Sequence, residues 1–142
     1  MEWAINDAHD YHHDPDALDQ GISPTESREN LDALVSRVQA ALPSTEIILW
    51  TTNITFDVEG STMRGRSARP NLASYYEGIY EVGSARGLRV IAGEKFWDSI
   101  RERMGEDFCV LIPDGVHPTP KALREHLVPF LLEQLGVPAK TL

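Results

Sequence analysis

Apolar residues in this chain recur at helical spacing in some stretches and gather into short continuous runs in others. Leu31, Leu34, Val35, Val38 and Leu42 mark one buried helical face. The helix start is also written in the sequence. Ser23 suits the N-cap, Pro24 the first helical position and Glu26 the capping-box position, while Pro43 stops the helix. Thr45 to Thr52 is β-rich and almost unbroken in apolar character, which predicts a strand buried on both faces. A second helix begins at Pro70, buries Leu72, Tyr75 or Tyr76, Ile79 and Val82, and ends near Gly87. Leu88 to Ala92 predicts another short buried strand, and an amphipathic helix follows over Glu94 to Met104 with Phe96, Trp97 and Ile100 apolar.

The remaining segments fill in the order. Met1 to Ile5 reads as a strand, and residues 7–22 as a loop of turn formers, five Asp with Pro15 and Gly21. Residues 53–69 form a long polar stretch with Gly60, Gly65 and three arginines, predicted as a surface loop; loops this long are usually functional or mobile. Phe108 to Ile112 is an apolar run that enters a polar turn, Pro113 to Pro118. The last helix has Thr119 as N-cap, Pro120 first and Gly136 past its end, with Leu123, Leu127, Leu131 and Leu135 on one face and a kink at Pro129. Strand and helix alternate, which predicts an α/β fold on a parallel sheet. Three strands are clear, fewer than the four to six of a usual sheet.

Composition narrows the class. The chain has 142 residues, 42% apolar and 25% charged, enough for a single domain, residues 1–142, with a true core. No apolar run reaches the ~20 residues of a membrane span, and the first ten residues lack the basic start and apolar region of a signal peptide. Thirteen basic residues against 22 acidic ones, net −9, argue against a nucleic-acid partner. The single cysteine, Cys109, excludes an internal disulfide framework and points to a reducing, cytoplasmic setting. Its apolar surroundings predict a core thiol.

The most specific string is Asp114-Gly-Val-His117-Pro-Thr119. An Asp three residues before a His across a glycine turn can accept the imidazole Nδ1–H, which fixes the tautomer and leaves Nε2 as a general base. Alone, the same string also reads as a loop acid and a surface histidine. The second string is Ala4-Ile-Asn6-Asp7 at the end of the first apolar run. An Asn there, at the C-terminal end of a parallel strand, can present its amide to a developing oxyanion. Alone, it is an Asn-Asp turn.

Taken together, these strings resemble the SGNH/GDSL hydrolase family of flavodoxin-like α/β esterases and lipases. The resemblance runs from residue 1 to about residue 136. It implies a three-layer sandwich on a parallel sheet. It assigns the triad Asp and His to Asp114 and His117, and the oxyanion-hole Asn of the G-x-N-D motif to Asn6. Two departures stand out. The motif glycine is Ala4, and the family's G-D-S strand with its nucleophilic serine is absent from the sequence. The chain therefore resembles a truncated domain, with about three of five core strands. A base without its nucleophile does not run acyl transfer by the usual route.

Other residues carry candidate chemistry. Ser61, in the long loop on the side of the sheet where the site should lie, is the candidate replacement nucleophile; it also reads as a plain loop serine. His9, His12 and His13 among several Asp residues could bind a divalent metal, but their spacing fixes no geometry and a solvated acidic loop is expected. No cofactor or metal is expected. Asn53-Ile54-Thr55 is a glycosylation sequon, and Arg64, Arg66 and Arg69 could meet an anionic substrate or simply be solvated.

Two functions compete. One is hydrolysis of small acyl or acetyl esters, with Asp114 orienting, His117 as base and Asn6 in the oxyanion hole. The other is a non-catalytic, truncated hydrolase fold that self-associates. An uncovered strand at Met1 to Ile5, with Met1, Trp3 and Ile5 apolar, predicts a homodimer or higher homo-oligomer joined through residues 1–6.

Overall fold

Ser23 opens the first helix, α1 (Pro24–Ala41), through a full capping box: its hydroxyl accepts from the Glu26 amide and the Glu26 carboxylate accepts from the Ser23 amide. Such a cap stabilises a helix by about 1 kcal/mol. The structure is a computed structural model and describes residues 4–10 and 21–137. Beyond α1 the order is β1 (Ile48–Thr51), α2 (Leu72–Arg86), β2 (Arg89–Ala92) and α3 (Gly93–Met104), then a 3-10 segment (Gly105–Val110). The chain closes with α4 (Pro120–Ala122), a π-helical turn (Leu123–Leu127) and α5 (Val128–Gln134).

β1 and β2 pair in parallel, Ile48 opposite Arg89 and Thr51 opposite Ala92, with α2 as the crossover. Side chains alternate along a strand, so β1 serves two layers. Leu49 joins Leu31 and Val35 of α1 and Ile79 and Val82 of α2 in one core. Trp50 packs on the second core, built from Trp97 and Ile100 of α3 with Phe108, Ile112 and Leu127. Helices on both faces of a parallel sheet make the α/β layering expected from the alternation. Among the described residues the sheet has two strands. Of the expected first strand, residues 1–3 lie outside the described residues, and Ala4 and Ile5 sit in a bend and turn.

Four expectations are corrected. Leu42, expected on the buried face of the first helix, is the C-cap residue of α1 and is exposed. Cys109 is exposed, not a core thiol. The chain around it winds as a 3-10 helix, whose three-residue turn aligns i with i+3. Phe108 and Leu111 therefore face the core, whereas Cys109 and Val110 face solvent. Leu135 is exposed too, because the last helix does not keep one α-helical register. The π-helical turn lies just before Pro129, whose ring and missing N–H disrupt a regular α-helix, and it shifts the face that follows. The polar stretch 53–69 is not uniformly a surface loop either. Asn53, Thr55, Ala68 and Arg69 are buried at its two ends.

Candidate active site

The C-terminal end of β1 runs into Thr52 and Asn53, and the turn 113–118 lies against this segment. Within that turn His117 Nδ1 stands 2.7 Å from Asp114 Oδ2. Asp114 Oδ1 accepts two backbone amides, from Val116 at 2.9 Å and His117 at 2.7 Å. One carboxylate thus folds the turn with one oxygen and holds the imidazole with the other. Gly115 takes φ +79°, and a Cβ on it would overlap the carbonyl oxygen of Phe56, so the bend requires glycine. Thr119 then caps α4, its hydroxyl accepting from the Ala122 amide at 3.1 Å, and anchors the far side.

Burial pushes the Asp114 carboxyl up. The hydrogen bonds from the His117 amide, the His117 ring and the Val116 amide together outweigh it and hold the group below the ordinary carboxylate value. Asp114 is therefore ionised at neutral pH, as an acid that orients a base must be. The imidazole is 66% exposed and open to a substrate.

The turn is held from one side by residues 53–61. The backbone carbonyls of Asp114, Gly115 and Val116 accept in succession from Ser61 Oγ (3.2 Å), the Phe56 amide (3.0 Å) and Asn53 Nδ2 (2.8 Å). Asn53 is buried and spends its other amide hydrogen on the Ile54 carbonyl at 2.9 Å, so its sequon has no free, accessible amide in the folded chain. The Tyr76 hydroxyl donates to the Asn53 carbonyl at 2.8 Å and ties the segment to α2.

Asn6 lies in a separate turn, residues 4–9, at the same end of the fold. Arg69 Nε donates to the Ile5 carbonyl at 2.9 Å, the Ala68 carbonyl accepts from the Asp10 amide at 2.7 Å, and Ser27 Oγ donates to Asp7 at 2.7 Å. Arg69 is thus a buried strut between this turn and the long loop, not a solvated cation. Asn6 itself is exposed, and no hydrogen bond joins it to the Asp114–His117 pair among the described residues. Ala4, where the resembled motif has its glycine, is buried with φ +87°, a conformation open to glycine and strained for alanine.

Ser61 lies beside the pair but is turned toward backbone. Its hydroxyl donates to the Asp114 carbonyl and accepts from the Met63 amide at 3.2 Å. Of the histidine cluster, His9 is half-buried in the first turn, while His12 and His13 lie outside the described residues. No three metal-ligating side chains converge among the described residues. Asn53 was missed as a site residue. It stands just after an apolar strand, the same signal that singled out Asn6, but its sequon drew attention to another reading.

No family model and no curated protein matches the sequence. Solved structures do. The chain is similar to a GDSL-like lipase from Parabacteroides merdae, at 16% identity and a TM-score of 0.70, over 94% of this chain and 57% of that one. It is similar to a point mutant of an acetyl-xylooligosaccharide esterase from Geobacillus, at 18% identity and a TM-score of 0.72, over 95% and 57%. An α/β hydrolase from the metagenome of Lake Arreo, Spain, gives 21% identity and 0.72, over 96% and 58%. The chain spans less than three-fifths of the length of each.

Proposed function

We propose that this chain, on the fold it shares with the C-terminal part of GDSL-like hydrolases, carries the base half of an ester-hydrolysing site acting on small acyl or acetyl esters. The observation that carries the reading is the 2.7 Å contact between His117 Nδ1 and an ionised Asp114. In the proposed reaction, His117 Nε2 takes the proton of an attacking hydroxyl as its oxygen adds to the ester carbonyl. The carbonyl electron pair moves onto oxygen, where the Asn6 amide donates to it. When that pair returns, the alcohol leaves and takes the proton from the imidazolium. A water that gives a proton to the same Nε2 then adds to the acyl group, and the acid leaves as the attacking oxygen regains its proton. The acetyl-xylooligosaccharide esterase among the structural neighbours supports an acetyl ester as the first substrate to try.

Ser61 is the proposed hydroxyl of this chain, supported by its place beside Asp114. A second reading is favoured by the same residue. With its hydroxyl committed to a backbone carbonyl, no side chain among the described residues is hydrogen-bonded to His117 Nε2. The domain would then be a non-catalytic hydrolase fold that associates with a second copy. Hydrolysis of p-nitrophenyl acetate by the purified chain separates the two. Release above the buffer rate that is lost in His117→Ala supports the hydrolase, and a rate unchanged in His117→Ala removes it. No release at all leaves the second reading.

A further inference from the structure

We propose that residues 53–61 form a positioning clamp for the base, with Asn53 as the positioning residue and Ser61 as its outer member; the proposal rests on His117 being that base. A catalytic imidazole must hold its direction to within a fraction of an ångström, and the His117 ring, two-thirds exposed, has little packing of its own to do so. Hydrogen bonds supply the constraint instead. Three successive carbonyls of the turn, from Asp114 to Val116, each accept a donor from this one segment. The inward amides of Val116 and His117 close on Asp114. The backbone of the turn is thus pinned on both sides while the ring stays open.

Asn53 is the member best placed to set direction. Its bond to the Val116 carbonyl is the buried one, and it acts on the peptide that joins Val116 to His117. Buried hydrogen bonds in a low-dielectric setting are stiff and costly to lose. Asn53 is itself held from behind by the Tyr76 hydroxyl, which also lies 2.7 Å from Thr52 Oγ1. A path of short bonds therefore runs from helix α2 through Tyr76 and Asn53 to the peptide before the base. Ser61 contributes a longer bond at the mouth of the turn.

The test is long-range 1H–15N spectroscopy of the His117 imidazole at neutral pH, in wild type, Asn53→Ala and Ser61→Ala, with p-nitrophenyl acetate turnover measured on the same samples. Wild type should show separate Nδ1 and Nε2 resonances of one tautomer, with the proton on Nδ1. Asn53→Ala should draw the two resonances together as tautomers exchange, and lower kcat about 10- to 100-fold with KM unchanged. Ser61→Ala should draw the resonances together more weakly, and its turnover, which also carries the loss of the proposed attacking hydroxyl, should fall to the buffer rate. Folded variants that keep the wild-type tautomer and kcat overturn the clamp while leaving the base intact. A wild-type ring that already averages its tautomers overturns the base reading, and the clamp with it. A tautomer shift in the variants without any esterase activity keeps the clamp and removes only the reaction. If Asn53→Ala does not fold, Ser61→Ala decides: an unshifted tautomer there overturns the proposal. An unshifted ring in Ser61→Ala, whatever its turnover, overturns the clamp role of Ser61.

Discussion

His117 and Asp114, three residues apart, are joined twice: ring to carboxylate at 2.7 Å and amide to carboxylate at 2.7 Å. Both bonds favour the ionised acid, and the folded-state pKa of Asp114 is accordingly depressed. A depressed carboxyl contributes stability that is present above its unfolded value, near 3.9, and lost as pH falls through the folded value. Asp114→Asn should therefore be less stable than wild type at pH 7, and the gap should close as pH falls below about 4. Urea denaturation at pH 7 and pH 3 measures it. A gap that stays constant would mean that the bonds do not favour the charged form.

Gly115→Ala should damage the same turn by a different route. The substitution puts a methyl group against the Phe56 carbonyl at a φ of +79°, where alanine is already strained. A loss of roughly 3 kcal/mol is expected from the two effects together. A thermal midpoint equal to wild type would show that the segment carrying Phe56 can move away, and that the clamp is soft.

Much of this was legible in the sequence, and the exceptions have physical causes. The start of α1 was readable because a capping box is local: Ser23, Pro24 and Glu26 specify it without reference to the rest of the fold. The Asp114–His117 contact was readable for the same reason, since three residues and a glycine confine it. Cys109 departs from the core position its neighbours predict because apolar character says that a run is buried, not which period it follows, and a 3-10 turn turns Cys109 outward. Asn53 and Arg69 stand in the sequence as a sequon and a loop cation, and their roles as struts were not legible because their partners, Val116 and Ile5, are more than sixty positions away. Long-range polar pairs leave no pattern in a single sequence.

Ala4 offers a test of strain at the first turn. Its φ of +87° costs alanine roughly 1–2 kcal/mol. Glycine would relieve that but lose a buried methyl group and gain unfolded-state freedom, each worth up to about 1 kcal/mol. Ala4→Gly should therefore fall within about 1 kcal/mol of wild type. Ala4→Val adds a β-branched side chain at positive φ and should lose more than about 2 kcal/mol. Equal urea midpoints for the Val and Gly variants would place Ala4 in an ordinary conformation in solution.

Self-association is proposed from the apolar residues Met1, Trp3 and Ile5, of which the first two lie outside the described residues. Sedimentation at micromolar concentration should give a dimer, and Trp3→Glu a monomer. A wild-type monomer removes the proposal, and a dimer that survives Trp3→Glu moves the interface elsewhere.

A double-mutant cycle on p-nitrophenyl acetate turnover tests the base pair most directly. If Asp114 acts only by orienting His117, Asp114→Asn should lower kcat by up to about 10⁴-fold, the scale of a lost orienting acid in triad enzymes. His117→Ala should lose at least as much, and the double variant no more than His117→Ala alone. Independent, multiplying losses, or an Asp114→Asn variant that turns over at the wild-type rate, would contradict a pair that works as one unit.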